Sequence, residues 1–242
     1  MKTCLKSIEQ QTFQDFEVII VDGSSTDGTP NYLKKLQYPF RVLCEPDDGV
    51  YDAMNKGIVL AQGEWLYFMG CDDRLISKNI LEILFQKNLS NTDLILGSIK
   101  YENSSNNSFF LNRKSRMVYP SWGIKLWIKN SIHHQGAFYK SELFDQEKFD
   151  LAYKILADYN LNLQLFRRGV NVRKLEELIA ICGPNGLSKS NEWKIYREEI
   201  RLKVNNSTFI FKPLFFLISL SKYLIKQLSP TSYSNNTGSI QE

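Results

Sequence analysis

The groups in this chain best suited to chemistry are acids at the ends of apolar runs. Asp22 closes the run Val18–Val21, Asp47 and Asp48 follow Phe40–Cys44, and Asp72 and Asp73 follow Glu64–Met69. Asp158 stands apart, after Leu151, Ile155 and Leu156, and His133 and His134 are the only histidines. Carboxylates on one sheet edge repel each other unless a divalent cation or ligand donors relieve the charge. The adjacent pair Asp72–Asp73 could divide labour, one bonding ligand hydroxyls and one holding a hard cation such as Mg2+ or Mn2+ that neutralises a diphosphate. Asp158 could accept a proton from an attacking hydroxyl across a cleft. Each acid could instead be ordinary, Asp72–Asp73 as a turn cap and Asp158 as a surface residue of a helix. Two neighbouring histidines in a strand point to opposite faces, so they are not expected to share one ion. No pattern of a nucleophilic Ser or Cys triad is present.

The elements that must position these groups read as an α/β layered domain. Val18–Val21 is a β-branched run suited to a strand buried on both faces. The polar turn Gly23–Thr29 follows it, and a helix opens at Pro30. This turn lacks the GxGxxG spacing of a dinucleotide fold and the GK[ST] end of a P-loop. Strands are predicted at Phe40–Cys44, Glu64–Met69, Asp93–Ile99 and Asn171–Ile181. Helices are predicted at Thr3–Gln11, Pro30–Leu36, from Ala53 to Ala61 with Gly63 as its C′ residue, Lys78–Gln86, Phe149–Ala157 continuing over Asn160–Arg168, and Trp193–Asn205. Alternation of strands and helices predicts a parallel sheet with helices on its faces, whose strand ends carry the acids on one edge.

The chain has 242 residues and a net charge of +4, too mild to argue for nucleic acid. Basic residues gather in Lys100–Arg116 and Arg167–Lys174, which suits an anionic substrate or membrane surface. Four separated cysteines with no CxxC pair argue against a cysteine zinc site and for a reducing compartment. The start shows no signal-peptide core. Ser207–Leu228 is strongly apolar with Lys212, Lys222 and Lys226, and reads as a helix lying at a membrane surface, packing within the protein or, with Lys212 and Lys222 snorkelling at its ends, spanning the membrane. The Ser/Thr/Asn-rich residues 229–242 are expected to be a disordered tail.

Four segments together carry a resemblance: SIEQQTFQDFEVIIVDGSSTDGT (Ser7–Thr29), EPDDGVYDAMNKGIVLAQGEWLYFMGCDD (Glu45–Asp73), HHQGAFY (His133–Tyr139) and ADYNLNLQL (Ala157–Leu165). The chain resembles family-two glycosyltransferases of the GT-A fold, near the bacterial colanic-acid and O-antigen sugar transferases. That resemblance implies an inverting, metal-assisted transfer of one sugar from a nucleotide-sugar, UDP-hexose foremost, to a lipid-linked or polysaccharide acceptor. Asp22 matches the aspartate that bonds the nucleobase. Asp48, Asn55 and Lys56 lie in the segment lining the donor pocket. Asp72 would contact ribose or donor sugar, Asp73 the Mn2+ or Mg2+ bridging the diphosphate, and His134 matches a histidine by the donor site. Asp158 matches the catalytic base, although Ala157 stands where the family has a second acid. The QxxRW motif of processive synthases is missing, which implies single-sugar transfer.

The resemblance divides the chain into a donor-binding half (1–100), an acceptor-binding half with the base (101–206), a membrane-surface or packing helix (207–228) and the tail. It places the protein in the cytoplasm, peripheral to the membrane. The family begins with a strand that this chain lacks, so about 10 to 20 further residues ahead of Met1 are expected, because an absent interior strand leaves backbone groups unpaired. The rival readings are a nucleotide-sugar-binding homologue without turnover and a nucleotidyltransferase.

Overall fold

In a computed structural model, residues 1–102, 116–183 and 192–228 are described. The chain divides into two units, Met1–Leu187 and Ser188–Glu242. The first runs α1 (Lys2–Glu9), β1 (Val18–Asp22), α2 (Thr29–Leu33), β2 (Phe40–Cys44), α3 (Val50–Leu60), β3 (Trp65–Tyr67), β4 (Arg74–Leu75), α4 (Ile80–Phe85), β5 (Leu94–Tyr101), β6 (Arg116–Val118), β7 (Ala137–Lys140), α5 (Ala157–Arg168) and β8 (Val172–Cys182). The second contains α6 (Trp193–Asn205) and α7 (Lys212–Leu228).

The result is a mixed α/β domain rather than a single parallel sheet. The larger sheet has the order β3-β7-β5-β8-β4, with β6 on the end of β5. Strand β5 lies between β7, antiparallel with Leu94 opposite Tyr139, and β8, parallel with Leu94 opposite Val172. Leu94–Ile99 of this central strand is buried throughout, on both faces of the sheet. Insertion of β7 between β3 and β5, antiparallel to both, makes the sheet mixed, since β5 and β8 run parallel. Strands β1 and β2 form a separate parallel pair, Val18 opposite Phe40. Val18–Val21 is accordingly half-buried, not covered on both faces as the sequence suggests.

The core of the larger sheet joins Leu75, Ile80, Leu81, Leu84, Ile95, Phe138 and Ile179. Two glycines let its layers close. A Cβ on Gly97 would lie 2.4 Å from Ile179 Cγ1, and one on Gly136 would lie 2.7 Å from the Gly97 carbonyl oxygen. Gly136 ends the 3-10 turn His134–Gly136, so this close approach fixes the histidines against β5.

Two helix ends differ from expectation. Phe149–Leu156 is irregular and α5 starts at Ala157, because Phe149 is tied through both backbone groups to the Asn55 side chain. Helix α3 ends at Leu60 with Ala61 extended, so Gly63 is not its C′ residue. Helix α5 stops at Gly169, which takes the left-handed conformation at φ 72°. Among the described residues no helix is long and apolar enough to cross a membrane. Residues 103–115, 184–191 and the expected tail 229–242 lie outside the described residues.

Candidate active site

The start of α5 places Asp158 in the helix's first turn, 6 % exposed, where the positive end of the helix dipole favours a carboxylate. Two other elements hold it. Tyr51 of α3 brings its hydroxyl 3.1 Å from Asp158 Oδ1 and 2.8 Å from the Ile155 carbonyl oxygen. His134 brings Nδ1 to 3.4 Å from Asp158 Oδ2. The Tyr159 backbone N–H donates to Asp158 Oδ1 at 2.7 Å. A buried carboxylate with partners on both oxygens is held in one orientation, as a proton acceptor in a cleft must be.

The two histidines part company, as expected of neighbours, but in a 3-10 turn rather than a strand. His133 Nδ1 lies 3.2 Å from the Tyr101 hydroxyl at the end of β5. Burial pushes the His133 pKa down to about 4, against the opposing pull of Asp158, so the ring is neutral at ordinary pH. Burial first, then the charges of Cys182, Asp158 and Asp73, push the Tyr101 hydroxyl well above its ordinary pKa. Tyr101 pairs across the sheet with Cys182, whose neighbour Gly183 bonds Asp73, and its hydroxyl reaches His133, whose neighbour His134 meets Asp158.

The acid pair Asp72–Asp73 has two unequal members. Asp73 is 3 % exposed, with Oδ2 accepting the Gly70 N–H at 2.7 Å and Oδ1 the Gly183 N–H at 3.1 Å. It staples the loop after β3 to the end of β8. Asp72 is exposed and packs on Gly183, where a Cβ would fall 1.9 Å from Asp72 Oδ2. Among the described residues no three His, Cys, Asp or Glu side chains converge as a metal cage. A Mg2+ or Mn2+ ion shared with a diphosphate needs only one or two protein carboxylates. Asp72, with the remaining lone pairs of Asp73, is a donor set that fits such an ion.

The remaining expected residues cluster at the carboxyl ends of β1 and β2. Asp22, 8 % exposed, accepts the Ser25 N–H at 3.0 Å and the Ser25 hydroxyl at 2.6 Å. A Cβ on Gly23 would lie 2.4 Å from Asp47 Oδ2, so a side chain at position 23 would have to displace that carboxylate. Gly49, at φ 116°, starts α3; Asp47 accepts its N–H at 2.9 Å, and Asp52 reaches back to the Asp48 N–H at 3.1 Å. Asp48 is exposed. Asn55 bonds the Phe149 backbone at 2.8 and 3.0 Å. Lys56 bonds Glu45 at 2.9 Å, Asp52 at 3.3 Å and the Pro46 carbonyl at 2.5 Å. Asn55 and Lys56 therefore brace the loops around the site.

Sequence reasoning singled out neither Tyr51, Tyr101 nor Gly183. Tyr51 lies inside the segment EPDDGVYDAMNKG, so its signal was one helical turn before Asn55. Gly183 showed only as the first glycine of a turn-rich stretch, and Tyr101 showed nothing beyond the aromatic end of a strand.

Residues 1–173 match the family described as Glycosyl transferase family 2. A PGL/p-HBAD biosynthesis glycosyltransferase of Mycobacterium bovis (strain BCG) is 34% identical over 176 residues, 69% of this chain and 64% of the relative. Glycosyltransferase GlyG of Streptococcus pneumoniae serotype 4 is 26% identical over 200 residues, 68% of this chain and 65% of the relative. The chain thus spans less than two thirds of the length of these relatives. The crystal structure of S. aureus TarS 1-349 in complex with UDP-GlcNAc has a TM-score of 0.67 at 17% identity, covering 93% of this chain and 68% of that one. This is a likeness of fold.

Proposed function

We propose, from the premise that the chain belongs to glycosyl transferase family 2, that it moves one sugar from a nucleotide-sugar to a hydroxyl of a lipid-linked or polysaccharide precursor, inverting the anomeric carbon. The observation that carries the reading is the grip on Asp158: a buried carboxylate held by Tyr51 and His134 from two other elements. In a single displacement the acceptor oxygen bonds the anomeric carbon as the bond to the diphosphate breaks. Asp158 takes the hydroxyl proton in that step. Its own lone pair supplies the base, and His134, donating from Nδ1, orients it.

On the donor side, Asp22 takes the nucleobase, Asp48 lies beside the nucleotide, and Asn55 and Lys56 hold the pocket wall through Phe149 and Pro46. Asp72 and Asp73 are the residues that would hold Mn2+ or Mg2+, which supplies charge neutralisation for the departing diphosphate. UDP-GlcNAc in the TarS complex supports a UDP donor here.

The test is a screen of UDP-hexoses and their N-acetyl forms with Mn2+ and a lipid-linked monosaccharide acceptor, followed by product mass. Transfer by the native chain is expected, with a loss of roughly 100-fold or more in Asp158→Asn while UDP binding by calorimetry is retained. Undiminished transfer in Asp158→Asn overturns the assignment of the base. UDP-sugar binding without transfer favours the non-catalytic reading.

A further inference from the structure

The basic cluster at Lys100–Arg116 ends on a residue that faces the candidate base. Arg116 opens β6 directly opposite Tyr101 in an antiparallel pair. Side chains opposite each other in such a pair leave the same face of the sheet. Arg116 therefore rises on the face where the Tyr101 hydroxyl meets His133. The next pair on that face, Ile99 and Val118, lines a cleft of about 180 Å³ with Pro120, Ser131 and His133. The chain beyond β6 returns to the same place. It passes through the short turn Ile124–Trp127, where the Leu126 carbonyl accepts the hydroxyl of Tyr159, the residue after Asp158. Lys129 follows, and its neighbour Asn130 accepts the Ile132 N–H at 3.3 Å, one residue before His133. The charges of Arg116 and Lys129 both act on the His133 ring. Both cations are exposed, and neither meets a carboxylate among the described residues. Other basic groups bordering the site are committed, Arg74 to Glu102 and Lys56 to Glu45 and Asp52.

We infer that Arg116 and Lys129, at the mouth of this cleft, form an acceptor subsite that binds a phosphate group. The inference deepens the proposed function and rests on its assignment of Asp158 as the base. An acceptor hydroxyl at Asp158 lies beside His134, so the rest of the acceptor leaves past the His133–His134 turn, which the two cations flank. The donor diphosphate is assigned to Asp72 and Asp73 with their ion, which leaves these cations for an anion on the acceptor. A guanidinium presents paired N–H donors that match phosphate oxygens, and an ammonium adds a point charge. Two cations for one group suit a phosphate monoester or a diphosphate better than a single carboxylate. Set beside a buried wall rather than in open solvent, they are screened less than an isolated surface pair.

Calorimetry on the full chain tests it, with UDP and Mn2+ present to fill the donor side. The probes are a panel of hexose and N-acetylhexosamine 1-phosphates and the matching methyl glycosides. At least one 1-phosphate is expected to bind about tenfold tighter than its glycoside, with the gain shrinking as salt rises. Arg116→Gln combined with Lys129→Gln is expected to erase that difference and to leave UDP affinity unchanged. Both positions are exposed, and a melting scan checks that the fold is kept. The same sugar on a decyl diphosphate distinguishes two sources of the phosphate. A further gain in affinity assigns it to a lipid carrier, no gain assigns it to a phosphosaccharide, and the anion site stands in either case. Three results overturn the proposal: no 1-phosphate preferred over its glycoside, a preference that survives the double substitution, or a loss of UDP affinity in the double variant. Transfer measured beside binding reads the catalytic assignment separately. Transfer without the phosphate preference removes the subsite alone, and the preference without transfer removes the catalytic assignment alone.

Discussion

The hydroxyl of Tyr51, at the start of α3, stands 3.1 Å from Oδ1 of Asp158, at the start of α5. The two residues are 107 positions apart, and the contact joins the segment that follows β2 to the helix carrying the expected base. The Tyr51 ring is independently held against Phe149, with centroids 5.4 Å apart.

Tyr51→Phe keeps that ring packing and removes only the hydroxyl. A hydrogen bond to a charged group contributes about 1.5–3 kcal/mol, so kcat is expected to fall roughly tenfold to 100-fold with KM for the donor little changed. Steady-state kinetics over donor concentration check it. A rise in KM at constant kcat would move Tyr51 from positioning the base to holding the donor.

Gly183→Ala puts a methyl group where Asp72 Oδ2 now lies, 1.9 Å from the new carbon. The Asp72 carboxylate can swing away, but its Cβ, 2.8 Å from the new carbon, moves only with the backbone, so the loop must shift slightly and the melting temperature is expected to fall by a few degrees. Transfer is expected to drop about tenfold or more, because the acid proposed to face the diphosphate is displaced. A melting scan beside an activity assay distinguishes this from general unfolding, in which both fall together.

His133 makes stability depend on pH. Its ordinary pKa of 6.5 is lowered to about 4 in the folded chain, chiefly by burial. Between those values the unfolded chain binds a proton that the folded chain refuses. Stability from this residue is therefore complete above about pH 6.5 and is lost progressively as pH falls toward 4. Arg116, Lys129 and His134 add to the depression and Asp158 opposes it. Urea unfolding across this window is expected to show the slope in the native chain and a shallower one in His133→Gln. Equal slopes would place the acid sensitivity elsewhere.

Local pattern determined a good deal by itself. Phe40–Cys44 and Trp193–Asn205 lie where their composition places them, since a short apolar run between polar segments and a long amphipathic helix are each legible within a dozen residues. The family, and with it the candidacy of Asp22, Asp72, Asp73 and Asp158, was likewise legible in four short segments. Tertiary structure decided the rest. Only packing could send His133 to Tyr101 and His134 to Asp158, tie Asn55 to a backbone 94 positions away, or set β7 between β3 and β5. Sequence pattern encodes which groups an element presents and on which face. The partner each group meets depends on how distant elements stack, and no spacing within one element carries that.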